Sequence, residues 1–262
     1  MIGDPSEEDN LGAVYIYRTE LHDGECIIRR HQVIRGSALG LTEARNFGIT
    51  QALSGDGATL VVVTRISYHQ PILLTFRQDA KGVFRAQRQR LGGSKIKDKH
   101  CLSRLTLSHK GDTLVLGWYF GSSNVTVHQQ STLGEWSEGR RLIGSVPRTV
   151  LALSISSSGL VLLTCGGYSD AHDRCFVYVR ESTHEDFVEQ RMHYDPPDAT
   201  HCEKPPCLIY RFGFYAHLVG DASAFIVSAS EHSPISDIFS GGGANVFRRS
   251  PSCDKAKTLP QP

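Results

Sequence analysis

The sequence predicts an all-β fold, a β-propeller of about five four-stranded blades, either as an incomplete ring or as a piece of a longer propeller. Three observations predict it. A strand–turn–strand unit recurs along most of the 262 residues. The strand after each turn is apolar throughout, as a strand buried on both faces must be. No segment carries the 3.6-residue apolar period of a long helix.

The units follow in order. Residues 1–40 hold a partial unit, in which Ile2-Gly3-Asp4-Pro5 leads to the strand Gly12-Ala13-Val14-Tyr15-Ile16-Tyr17-Arg18. Fuller units span 46–91, 102–141, 150–191 and 211–250, and 251–262 reads as a disordered tail rich in Pro, Lys and Ser. The turn of the second unit, Ser54-Gly55-Asp56-Gly57, precedes Leu60-Val61-Val62-Val63. Ser108 and Gly111 before Leu114-Val115-Leu116, Ser156 and Gly159 before Val161-Leu162-Leu163, and Gly220-Asp221 before Phe225-Ile226-Val227 repeat it. Gly at these places accepts positive φ and lets the chain reverse tightly. A third strand follows each pair, at 72–77, 124–128, 175–180 and 244–248, and it often ends in a basic residue. A polar fourth strand is expected at 84–89 and 187–191, where it would lie on the rim.

Composition narrows the function classes. Hydrophobic residues make up 40%, enough for a sizeable core, and 25 Gly with 11 Pro suit many short strands. The net charge is +1, from 28 basic and 27 acidic residues, so the concentrated basic surface of a nucleic-acid binder is missing. The densest basic run, Lys95 to His100, reads as a solvated loop. No stretch approaches the roughly 18–20 apolar residues of a membrane span, so no membrane insertion is expected within this chain. The acidic N-terminus lacks the features of a signal peptide. The chain starts inside a repeat, however, and the expected setting is extracellular or at the cell surface, with the cytoplasm left open.

Seven cysteines bear on that setting. Cys165 and Cys175 flank a hairpin loop, and Cys202 and Cys207 flank Glu-Lys-Pro-Pro; either pair would close a small disulfide loop in an oxidising compartment. Asn124-Val125-Thr126 is a glycosylation sequon. Reduced thiols in a cytosolic protein are the alternative.

The unit resembles the FG-GAP repeat of integrin-α-type propellers. Phe47-Gly48 and Phe212-Gly213 match the family's opening, Ser54-Gly55-Asp56-Gly57 and Gly220-Asp221 its turn, and Ile2-Gly3-Asp4-Pro5 with Gly12-Ala13-Val14-Tyr15-Ile16-Tyr17 its closing strands. The units at 104–136 and 150–190 have lost Phe-Gly. The resemblance implies an ectodomain that binds a protein or glycan ligand without catalysis. It also implies calcium loops of Asp-x-Asp-x-Asp type, which this sequence lacks. Glu7, Glu8 and Asp9 sit where such a loop would lie and are the candidate metal ligands, against a plain solvated hairpin tip. No other cofactor is expected.

Two loops are candidate binding sites. Residues 166–174 place Asp170 and Asp173 around His172. The insertion from Asp186 to Tyr210 holds His193 and His201, and as the longest inter-strand connection it is the first choice for specificity. With Cys202 and Cys207 its histidines also offer zinc donors, at no recognised spacing. Trp118-Tyr119-Phe120 reads as inter-blade packing or as a stacking platform. Enzyme signals are poor. Gly36-Ser37-Ala38-Leu39-Gly40 is not a nucleophile elbow, and Gly92-Gly93-Ser94-Lys95 is not a phosphate-binding loop. A propeller-fold glycosidase or lyase and an intracellular interaction scaffold are the competing readings.

Overall fold

The computed structural model describes residues 1–40, 45–67, 70–92, 101–119, 125–144, 146–147, 149–167, 173–194, 209–232 and 243–248. The chain divides into two compact units, Met1–Leu142 and Ile143–Pro262.

The first unit contains three antiparallel sheets. Strands β1 (Ile2–Asp4), β2 (Ala13–His22) and β3 (Glu25–Arg35) pair in that order, with the helical turn α1 (Glu7–Asn10) between the first two. Strands β4 (Arg45–Leu53), β5 (Thr59–Ser67), β6 (Gln70–Gln78) and β7 (Phe84–Gly92) form the second sheet. The third runs β8 (Cys101–Leu107), β9 (Thr113–Tyr119), β10 (Val125–Gln129) and the two-residue β11 (Arg140–Arg141). The second unit holds a sheet of β12 (Thr149–Ile155), β13 (Val161–Gly167), β14 (Asp173–Val179) and β15 (Val188–Tyr194). Its last sheet is β16 (Ile209–Leu218), β17 (Ala224–His232) and β18 (Gly243–Arg248).

The central strand β5 is apolar throughout because both its faces are covered. Leu60 and Val62 of β5 pack with Val14, Ile16 and Ile34 of the first sheet. Val61 and Val63 face the other way and pack with Leu105, Leu114 and Trp118 of the third. In the second unit Leu163 and Cys165 of β13 meet Leu218, Phe225 and Val227 of the last sheet. Full burial of such a side chain contributes about 1.5–3 kcal/mol, so these layers hold the stacked sheets together. Trp118 is thereby an inter-sheet packing residue.

The first strand of every full unit is bulged. Register shifts fall between Arg45 and Thr50 in β4, Leu102 and Arg104 in β8, Val150 and Ala152 in β12, and Phe212 and Ala216 in β16. In β4 the shift contains Phe47-Gly48. Phe47 is buried edge-on against Phe76, and a Cβ on Gly48 would lie 2.7 Å from the Ala13 carbonyl oxygen. The bulge persists in β8 and β12, where Phe-Gly is gone.

The described strands fall into five groups, as expected of about five blades; among the described residues β1–β3 and β16–β18 have three strands each and the other groups four. The leading unit, expected as a partial one over residues 1–40, consists of β1, β2 and β3, the last two forming a long hairpin. The polar fourth strand expected at 187–191 is β15, which pairs with β14 and runs on to Tyr194, into the start of the insertion expected from Asp186 to Tyr210.

Candidate functional site

The best-defined polar structure is a set of repeated turns joining the first and second strands of each full sheet. In the β4–β5 turn, Ser54 N–H donates to the Thr59 carbonyl (2.8 Å) and Gly57 N–H to the Ser54 carbonyl (2.9 Å). The buried Ser54 Oγ accepts from Thr59 N–H (2.9 Å) and donates to the Asp56 carboxylate (2.6 Å). The β8–β9 turn repeats this, with Ser108 Oγ accepting from Thr113 N–H (3.1 Å) and donating to Asp112 (2.6 Å). In the β12–β13 turn Ser156 Oγ accepts from Val161 N–H (3.0 Å) and meets Ser158 Oγ at 3.1 Å. A serine hydroxyl both donates and accepts, so one side chain closes the loop at two points.

The turns are also bonded to each other by backbone. In the first unit Asp56 N–H donates to the His109 carbonyl at 2.9 Å. In the second, Ser157 N–H donates to the Gly220 carbonyl at 2.7 Å, and Leu218 N–H to Ser154 Oγ at 2.9 Å. These bonds fix one strand end of the second sheet against the third, and of the β12–β15 sheet against the last. Around them lie basic residues that the sequence pattern marked only as strand ends. Arg77, at the end of β6, donates to the Gln130 side chain. Arg180, after β14, is buried; it donates to the Gly159 and Thr183 carbonyls at 2.9 Å each and lies 4.5 Å over the Phe187 ring. Trp136 Nε1–H donates to Thr75 Oγ1 at 2.9 Å, tying a second-sheet strand to the loop after β10.

Electrostatics follow the turns. Burial works to raise the Asp56 carboxyl, but Ser54, the Ala58 N–H, His109 and Arg77 outweigh it and hold the group below its ordinary range. Asp221 is lowered by the Ser223 hydroxyl and N–H, and Asp79 by the Val83 N–H and Arg85. His128 is lowered by burial, against a hydrogen bond to the Ser137 carbonyl. Each of these groups serves its own turn or strand.

The acidic turn is occupied by its own chain. Tyr15 Oη–H donates to Glu7, and that bond, with burial, raises the phenol. Arg35 Nε lies 3.2 Å from both Glu7 and Glu8 carboxylates, and the Ser37 hydroxyl donates to Glu8. Glu8, Asp9 and Asn10 all take positive φ, a sequence of left-handed residues that costs about 1–2 kcal/mol each without such support. Asp9 stays exposed. Glu7, Glu8 and Asp9 therefore do not converge; among the described residues no three His, Cys, Asp or Glu side chains are placed to hold a metal ion.

The remaining expected residues divide clearly. Cys165 and Cys175 are directly opposite in β13 and β14, fully buried, with Cα atoms 4.1 Å apart, and form a disulfide. Asp173 opens β14 opposite Gly167, and His193 lies within β15. Asp170, His172, His201, Cys202, Cys207 and Asn124 lie outside the described residues, as does the run Lys95 to His100. No described helix is long and apolar enough to cross a membrane.

Solved structures resemble this stack of sheets. The β-propeller domain of Cps50 (Swd1) from Myceliophteria thermophila is 9% identical, with a TM-score of 0.49 over 93% of this chain and 68% of that one. The periplasmic gluconolactonase PpgL of Pseudomonas aeruginosa is 18% identical, with a TM-score of 0.52 over 84% of this chain. A putative 6-phosphogluconolactonase from Bacteroides uniformis is 12% identical, with a TM-score of 0.50 over 86%. The fold is a β-propeller. Each sheet described above is thus a blade. The chain spans 58% and 62% of the two lactonase chains. No family model matches it, and no curated protein matches its sequence. At these identities the likeness concerns the fold alone, and function must come from the site.

Proposed function

We propose that this propeller is a non-catalytic module that binds a protein ligand at a cell surface or in an extracellular space. One observation carries the reading: the turns at one strand end of neighbouring blades are locked by side-chain and inter-turn backbone bonds. A scaffold fixed in this way supports recognition by the connections at the opposite strand ends, where rigid elements hold variable segments in place. Asp170, His172 and His201 are the residues the sequence offers for that recognition. The Cys165–Cys175 disulfide supports an oxidising compartment. The FG-GAP resemblance points the same way. The binding requires no cofactor.

The test has two arms. Fluorescent chain is applied to unpermeabilised cells, with and without prior trypsin treatment, and compared with a variant in which residues 195–208 are replaced by a Gly-Ser linker. Saturable binding that trypsin abolishes, and that the variant loses at least tenfold, is expected. In the second arm glucono-1,5-lactone is followed by pH-stat, and a rate no faster than buffer is expected. Turnover of the lactone, or binding unchanged by both treatments, overturns the proposal.

A further inference from the structure

The second blade and the fourth differ at one matched pair of positions. In the second, Val61 of β5 lies opposite Thr75 of β6, and two residues further on Val63 lies opposite Leu73. Val63 and Leu73 are each 1% exposed and pack against the third blade. In the fourth, Leu163 of β13 lies opposite Val177 of β14, and two residues further on Cys165 lies opposite Cys175. The disulfide therefore fills the place of an apolar pair. Both cysteines are 0% exposed, in one layer with Leu218 of β16 and with Phe225 and Val227 of β17. The fourth blade and the last both belong to the second unit, so this cover is internal to it.

A disulfide is reduced when a thiolate reaches one of its sulfurs, so a buried one reacts only from an opened state. Here opening means lifting β16 and β17 from β13 and β14. The bonds from Ser157 N–H to the Gly220 carbonyl and from Leu218 N–H to Ser154 Oγ hold the turn end of this contact. Cys165 lies four residues beyond Val161, where β13 begins, and so roughly 13 Å along the strand from that end. The cover can lift at the disulfide while the turn end stays bonded. Reduction acts on the cover in return. The two sulfurs lose their shared bond and must separate to van der Waals contact, inside a layer that leaves neither cysteine exposed. A close-packed layer answers such added volume by displacing its neighbours.

We infer that the Cys165–Cys175 disulfide is a redox latch gated by the last blade. A dithiol reductant reaches it only when β16 and β17 lift, and its reduction weakens their packing on the fourth blade. In the reaction one thiolate of the reductant attacks a cystine sulfur, the S–S bond breaks, and the other cysteine leaves as a thiolate and takes up a proton. The second thiol of the reductant then attacks the mixed disulfide, freeing the first cysteine and closing the reductant's own disulfide. Two electrons and two protons pass from the dithiol to the two cysteines. The coupling is reciprocal: whatever favours the lifted blade favours reduction, and reduction favours the lifted blade.

The experiment follows reduction of the full chain by dithiothreitol, with alkylation and peptide mass spectrometry resolving Cys165 and Cys175 from the other cysteines. Reduction is expected to be at least about a hundredfold slower in the folded chain than in the chain unfolded by urea. Phe225→Ala, which thins the cover without touching the cysteines, is expected to speed it at least about tenfold. Val61→Ala, a core truncation in the first unit, is expected to change it less than about twofold. Hydrogen exchange on the wild-type chain needs no variant: β16 and β17 are expected to exchange at least about tenfold faster after reduction, with β5 and β6 unchanged. Cys165→Val with Cys175→Leu, the pair found in the second blade, is expected to abolish this response to dithiothreitol. Reduction as fast in the folded chain as in the unfolded, equal acceleration by Phe225→Ala and Val61→Ala, exchange in β16 and β17 that ignores reduction, or a response that persists in the double variant overturns the inference.

Discussion

The turn from Val219 to Ala224 and the turn from Ser54 to Thr59 have the same backbone and different side chains. In both, the first N–H bonds the carbonyl five residues on and the fourth residue's N–H bonds back to the first carbonyl, at 2.9 and 2.7 Å in the later turn and 2.8 and 2.9 Å in the earlier. The earlier turn adds a buried serine that closes two further bonds, and a glycine at φ 73°. The later one has an exposed valine in place of the serine, and Ala222 at φ 61° in place of the glycine. The difference teaches that strand register and the bond between adjacent turns impose this geometry. The serine and glycine of the motif reinforce it. The reinforcement is therefore measurable by substitution at matched positions.

The largest effect is expected where the turn is both left-handed and crowded. Gly111 has φ 68°, and an added Cβ would lie 2.6 Å from Thr59 Oγ1 and 2.7 Å from its Cβ, against the turn of the preceding blade. Gly111→Ala combines a left-handed cost of about 1–2 kcal/mol with about 1–3 kcal/mol of overpacking. A loss of about 3 kcal/mol in urea unfolding is expected. Gly57→Ala, at φ 73° with nothing within 4 Å of the added atom, isolates the backbone contribution and should cost only about 1–2 kcal/mol. Equal costs at the two sites would mean that the turns of neighbouring blades do not press on each other.

These contacts also mark how far the sequence could be read. The turns and central strands were legible because Ser, Gly and unbroken apolar runs answer to local rules. The outer strand β3 was not, because the apolar residues of Glu25–Arg35 fall in adjacent pairs, Ile27-Ile28 and Val33-Ile34, without the alternation of a one-faced strand, and its pairing comes from β2. The disulfide at Cys165 and Cys175 was legible, since two cysteines flanking a hairpin loop come opposite when the strands pair. The bond from Asp56 to the His109 carbonyl was not, because it is a backbone contact between blades and leaves no residue signature. Arg77 and Arg180 showed only as basic strand ends; their acceptors lie on other segments. Glu7 and Glu8 were read as an acidic loop because Arg35, which takes both carboxylates, comes from a strand not yet recognised.

A smaller effect separates the turns by pH. The folded-state Asp56 carboxyl lies below its ordinary value, so the unfolded chain holds the proton more tightly. Its contribution is present above the unfolded pKa of about 3.9 and is lost as pH falls through the lower folded value. The wild-type midpoint should therefore fall more steeply than that of Asp56→Asn as pH drops from about 5 toward 2. The side chain is largely solvated, so screening keeps the difference modest. Parallel curves would show that Ser54, Ala58 N–H and the nearby cations do not bind the ionised form preferentially.

The smallest effect is expected where two contributions oppose. Ala222→Gly would relieve the left-handed cost of about 1–2 kcal/mol at φ 61°. It would also free the unfolded chain by about 0.4–1 kcal/mol and remove a methyl group, worth about 0.8 kcal/mol, from the layer with Leu218 and Phe225, where Ala222 is buried. The sum lies within about 0.8 kcal/mol of zero. Alanine thus holds this position at no net loss, and the turn tolerates it because the methyl group packs against the fourth blade. Gly111→Ala has no such offset, since its methyl group would meet backbone-anchored atoms of another turn. A gain above about 1 kcal/mol for Ala222→Gly would show that the methyl group contributes nothing to the blade contact, and that the last turn is strained without compensation.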